Sequence, residues 1–114
     1  MEFKTSEYAG TLLVQVGCTR IDAACAIQFK DAVRDLADSE QDRIVLDLSM
    51  VDFLDSSGLG AVVAALKAIG PNKTLQLAGL TPTVKKVFHL TRMDSVFTIH
   101  ATATDAIEGL ANAS

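Results

Sequence analysis

The sequence predicts an α/β fold, with a mixed sheet of four or five strands and about four helices. Three observations predict it. From residue 11 onward, short runs of strand-forming residues alternate with longer stretches of helical spacing. Residues 44–48, IVLDL, form an apolar run suited to a central strand covered on both faces. Gly70–Pro71 is a strong stop that separates a helical pattern from a strand pattern.

The elements follow in order. Residues 1–6 alternate loosely and suit an edge strand, joined through a turn at Tyr8–Ala9–Gly10 to residues 11–16, TLLVQV. Asp22 is suited to cap a first helix over 23–37, where Cys25, Phe29, Ala32, Val33 and Leu36 share one stripe. Asp31, Asp35 and Asp38 line another side, a solvated face. After the 44–48 strand, a helix is expected over 57–69, with Leu59, Val62, Val63, Leu66 and Ile69 as its core stripe. Residues 74–78, TLQLA, read as a strand. Thr81 and Pro82 open a helix over 82–90. Residues 95–99, SVFTI, read as a strand and 104–111 as a final helix. The later crossovers are expected to be right-handed.

The chain has 114 residues, nearly half of them apolar, which fits one domain with a sizeable core. A net charge of −4 argues against a nucleic-acid surface, because phosphate binding needs a basic patch. Lys85, Lys86 and Arg92 form only a loose basic group, read as an ordinary solvated face. Cys18 and Cys25 stand outside any CxxC or His/Cys cluster, so they read as free thiols in a reducing cytosol, and no metal site is expected. The N-terminus lacks a secretory pattern and no run approaches a membrane span. The expectation is a cytoplasmic domain without membrane insertion, linker, low-complexity segment or repeat.

The stretch that carries chemistry is 51–69, VDFLDSSGLGAVVAALKAI. A helix start leaves backbone N–H groups unpaired, and Ser56 or Asp55 can cap one of them. Gly58 and Gly60 leave the backbone open to close approach. The site is ready to hold an anion. A dinucleotide fingerprint would need a third glycine where Val63 stands, a P-loop would need Gly-Lys-Ser/Thr, and a hydrolase elbow would need G-x-S-x-G. None is present. His89 and His100 are isolated, so neither catalysis nor a cofactor is expected. A serine at a helix start remains, available for modification. Phosphoserine adds roughly −1.5 to −2 charges at pH 7. In a desolvated interface such a charge costs several kcal/mol. Gly60, Ala61, Ala64, Ala65 and Ala68 form a stripe of small residues, which either packs inside the domain or lets a partner approach closely.

IVLDLSMVDFLDSSGLGAVVAALKAI resembles the signature of STAS domains, and specifically of bacterial anti-sigma factor antagonists. RID at 20–22 and LTPTVKKVFHLTRMDSVFTIHATATDAIEGL at 80–110 extend the resemblance over nearly the whole chain, as one STAS domain over 1–114. The resemblance implies a phosphorylation-controlled, partner-switching regulator of transcription rather than an enzyme. Ser57 would be phosphorylated by an anti-sigma factor that is also a serine kinase of the GHKL type. A PP2C-type phosphatase would remove the phosphate. The unphosphorylated form would bind the anti-sigma factor and release the sigma factor. Asp55, Ser56, Gly58, Leu59 and Gly60 would shape what the kinase reads, Asp22 would contact the partner, and Ala61 and Ala64 would belong to the docking face. The family expectation is a monomer or weak dimer.

Two departures from the family pattern concern its loops. Gly17 is separated from Ile21–Asp22 by Cys18–Thr19–Arg20, and Arg92 stands in a glycine place. If that turn needs positive φ, Arg92 carries strain. The alternative within the family is an accessory subunit bracing the ATPase of an ABC-type lipid transporter. A third reading, nucleotide binding, rests on the glycines and the helix dipole alone.

Overall fold

The hairpin that opens the chain is set by its turn. In the computed structural model, which describes the backbone of residues 2–112 and the side chains of 2–108, β1 (Phe3–Tyr8) pairs antiparallel with β2 (Thr11–Val16). Tyr8 faces Thr11, so only Ala9 and Gly10 form the loop, both with positive φ (48° and 84°). This is the geometry whose twist matches that of the flanking strands. Residue 1 of the expected first strand lies outside the described residues, as do residues 113–114 of the expected domain.

The chain continues through β3 (Arg20–Ile21), α1 (Ala26–Asp35), β4 (Arg43–Asp47), β5 (Phe53–Leu54), α2 (Ser56–Ala68), β6 (Thr74–Ala78), α3 (Pro82–Leu90), β7 (Ile99–His100) and α4 (Ala103–Asn112). The main sheet has the order β1-β2-β4-β6-β7, and every pair after the first is parallel. The expected mixed five-stranded sheet and four helices are therefore present. A second, two-residue parallel bridge joins β3 to β5.

Alternation along the strands sorts the core. Leu12, Val14, Ile44, Leu46, Leu75 and Leu77 point to one face, under α1, α2 and α3. Val45 and Ala78 point to the other, under Ala106 of α4. The 44–48 run is thus covered on both faces, as its composition predicts.

Several local expectations are corrected. Asp22 does not cap α1. Its Oδ1 accepts from the Ala24 amide at 3.1 Å, a turn follows, and the helix begins at Ala26. Thr81 occupies the cap position of α3, but its hydroxyl donates to the Val51 carbonyl at 2.7 Å, tying that helix to the loop after β4. The expected 95–99 strand shrinks to Ile99–His100, because residues Met93–Ser95 form a 3-10 turn. Phe97 is buried edge-on against Phe88 instead, with ring centroids 5.9 Å apart.

Arg92 lies in the left-handed region, with φ 60° and ψ 21°. A residue with a Cβ loses roughly 1 kcal/mol there relative to glycine. Arg92→Gly is therefore expected to raise stability by about 0.5 kcal/mol, the gain being reduced by the greater freedom of glycine in the unfolded chain. Urea unfolding checks it, and a loss of stability would show that the arginine side chain contributes more than its backbone costs.

The face under α4 holds a polar cluster. Arg43 donates to Gln76 Oε1 at 2.9 Å and to Thr11 Oγ1 at 3.2 Å, and its other Nη lies 3.2 Å from His100 Nε2. Burial, and then the Arg43 charge, hold the His100 pKa below its ordinary 6.5, against a smaller opposing pull from Asp105. The unfolded chain binds a proton near 6.5 while the folded chain resists it, so this contribution is present above pH 6.5 and lost as the pH falls below it. Wild type is expected to lose more stability than His100→Gln between pH 7.5 and about pH 5.5, measured by denaturant titration.

Candidate functional site

The site is assembled where two loops meet. Asp55 stands at the N-cap of α2 in extended conformation, and its Oδ1 accepts from the Gly58 amide at 2.8 Å. Its Oδ2 accepts from the Ala23 amide at 3.3 Å. One carboxylate therefore satisfies an orphan donor of α2 and fastens the 20–24 loop to it. The capping role falls to Asp55, leaving the Ser56 and Ser57 side chains exposed on the first turn.

The β3–β5 bridge completes the attachment. The Asp52 amide donates to the Thr19 carbonyl at 2.9 Å, and the Arg20 guanidinium sits 4.0 Å from the Phe53 ring centroid. Arg20 also pairs with Asp22 at 3.3 Å. Desolvation pushes the Asp22 pKa up, but the hydrogen bonds from Arg20 and the Ala24 amide outweigh it, so Asp22 ionises below the ordinary carboxylate range. Thr19 and Arg20, within the segment that departs from the family pattern, thus help hold Asp22 beside the start of α2. Both cysteines are free and half-buried. Burial, with Cys25 nearby, pushes the Cys18 thiol up and keeps it protonated.

Gly58 is the tightest point. A Cβ there would lie 1.8 Å from the Ile21 carbonyl oxygen and 2.9 Å from a Leu54 methyl. Only glycine lets α2 rest against β3. Gly60, two residues on, faces open space.

The small stripe of α2 has two fates. Gly58, Ala61, Val62, Ala65 and Ile69 are buried, so the helix is turned by about one residue from the expected core stripe. Leu59, Val63 and Leu66 lie half-buried on its flank. The cause is α1, which packs against α2 along its small residues. Ala61 and Ala65 belong to the buried core. Gly60 stays exposed and Ala64 half-exposed, and together with Ser57 and Ala61 they line a shallow groove of about 200 Å³ against Ala26, Ile27 and Lys30 of α1.

Ile27 is 71% exposed at this groove. Sequence reading missed it. The available signal was an isoleucine off the apolar stripe of α1, on a face otherwise polar. Lys30 was also missed; it makes no salt bridge among the described residues. The structure thus brings Asp22, Asp55, Ser56, Ser57, Gly58 and Gly60 together at one end of α2. Leu59 packs against the core, and Ala61 is buried but also lines the groove.

The arrangement offers an exposed hydroxyl, a flat groove and an apolar side chain. Among the described residues, no group of three His, Cys, Asp or Glu could hold a metal, and no helix is long and apolar enough to cross a membrane.

Comparison with known proteins adds four findings. The family model described as "Mlab, STAS domain" matches residues 17–99. The anti-sigma-F factor antagonist RsfB of Mycobacterium tuberculosis is 26% identical over 105 residues, which is 92% of this chain and 85% of that protein. The crystal structure of an anti-sigma factor antagonist from Mycobacterium paratuberculosis superposes with a TM-score of 0.81 at 26% identity, covering 95% of this chain and 92% of that one. The Bacillus protein SpoIIAA in its phosphorylated form has a TM-score of 0.67 at 20% identity, covering 96% of this chain and 99% of that one, a likeness of fold.

Proposed function

The chain belongs to the STAS domain family, and from that premise we propose that it is an anti-sigma factor antagonist switched by phosphorylation of Ser57. The reading takes residues 1–114 as one STAS domain that works by binding in the cytoplasm and not by catalysis. Its unphosphorylated form docks on an anti-sigma factor that doubles as a GHKL-type serine kinase, releasing the sigma factor. Phosphorylation ends the complex, and a PP2C-type phosphatase restores it.

One observation carries the proposal: Ser57 is exposed on the first turn of α2, on the rim of a groove flat enough for another protein to cover. In the free domain the helix N-terminus tolerates the added negative charge, by about 0.3–1 kcal/mol at an exposed site. In a complex the same phosphate would be enclosed, where an unpaired charge costs about 3–5 kcal/mol. The asymmetry makes a switch of binding without a change of fold. The similarity to RsfB supports the sigma-factor output.

Phosphosite mapping by mass spectrometry, on chain purified from its own cells in growth and under stress, tests the site. A single phosphate on Ser57 is expected, and it should disappear in Ser57→Ala. Phosphate on Ser56 instead, or an unmodified chain under all conditions, would overturn the assignment.

A further inference from the structure

At the opposite edge of the sheet, α3 and β7 stand apart and leave a cleft of about 720 Å³. It shares no lining residue with the Ser57 groove. Its position follows from the topology. Leu80 comes two residues after the end of β6 and Ala101 one residue after the end of β7, so the cleft opens outside the carboxyl ends of parallel strands. Because β7 has only two residues, the sheet stops short here and none of the described residues fills the space beside α3.

The lining divides by chemistry. Leu80 and Ile99, both half-buried, make an apolar floor over the wholly buried Phe88. Lys85, Lys86 and His89, on one side of α3, make a basic wall. Asp94 is the acid that lines the cleft, and its Oδ2 lies 3.2 Å from His89 Nδ1. Two lysines against one carboxylate leave the cleft positive in a chain whose net charge is −4. A solvated helix face would need the lysines but not the apolar floor beneath them. The volume is that of a small-molecule site, mostly apolar with a few polar groups that fix orientation.

We propose that the cleft between α3 and β7 binds a small amphipathic anion, with its apolar body on Leu80 and Ile99 and its carboxylate or phosphate head at Lys85 and Lys86. Such a ligand would sit on a surface separate from the Ser57 groove, and its binding does not depend on phosphorylation.

The test is an amide NMR titration of the full chain with three probes: 4-phenylbutyrate, 2-phenylethyl phosphate, and the neutral 4-phenylbutanol. Saturable shifts confined to residues 80–89 and 99–101 are expected for at least one anion, which should bind about fivefold or more tightly than the alcohol. The tighter anion identifies the head group. The double variant Lys85→Ala/Lys86→Ala should weaken that anion about fivefold and leave the alcohol unchanged, with the spectrum of the free protein otherwise preserved. No saturation by either anion at millimolar concentration, equal affinity for anion and alcohol, or shifts centred on the α1–α2 groove would each overturn the proposal.

Discussion

Gly58→Ala is expected to destabilise the protein by about 3 kcal/mol and to lower the melting temperature by roughly 10 °C. The added methyl would lie 1.8 Å from the Ile21 carbonyl oxygen. That oxygen is backbone, so rotating a side chain cannot relieve the clash. Either α2 lifts or β3 moves, and β3 is held by its bridge to β5. Moving it also strains the Arg20–Phe53 stack and the tie from Asp55 to Ala23. Gly60→Ala is the control. Its Cβ meets nothing within 4 Å, so it should stabilise the exposed helix by about 0.5–1 kcal/mol while narrowing the groove beside Ser57. Urea unfolding of both variants reads the opposite signs, and equal losses would show that the close approach at Gly58 is not what matters.

Ser57→Asp is expected to leave the folded domain intact and to weaken partner binding about 100-fold or more. The exposed first turn of α2 accepts a negative charge near its unpaired N–H groups, so stability should hold or rise by about 0.5 kcal/mol. Enclosed by a partner, the same carboxylate has only Lys30 among the groove-lining residues as an opposite charge. Aspartate carries one charge where phosphate carries nearly two, so the measured loss is a lower bound for the modified protein. Calorimetric titration of wild type and variant with the captured partner gives the ratio. A variant that bound as tightly as wild type while remaining folded would place Ser57 outside the interface.

Most of the sheet was legible because its information is local. IVLDL and TLLVQV carry strand composition, Gly70–Pro71 ends α2, and Thr81–Pro82 opens α3. The misreadings arise where distant segments compete for the same groups. Asp22 has the chemistry of a helix cap, but the β3–β5 bridge and Arg20 draw its loop elsewhere. The rotation of α2 depends on how closely α1 approaches, which spacing along one helix cannot reveal. DSSGLG pointed to the start of α2. The groove between α1 and α2, with Ile27 and Lys30, needed the packed structure. The strain at Arg92 was foreseeable only as a condition on the turn, and its φ of 60° meets that condition.

The central claim is that the charge on Ser57 decides which partner this domain holds. The most direct measurement is affinity capture from native lysate with wild type and Ser57→Asp, with bound proteins identified by mass spectrometry. The account predicts that wild type captures a GHKL-type kinase and the aspartate variant does not. Capture of the same transporter ATPase by both would contradict it and make Ser57 a structural residue at the start of a helix.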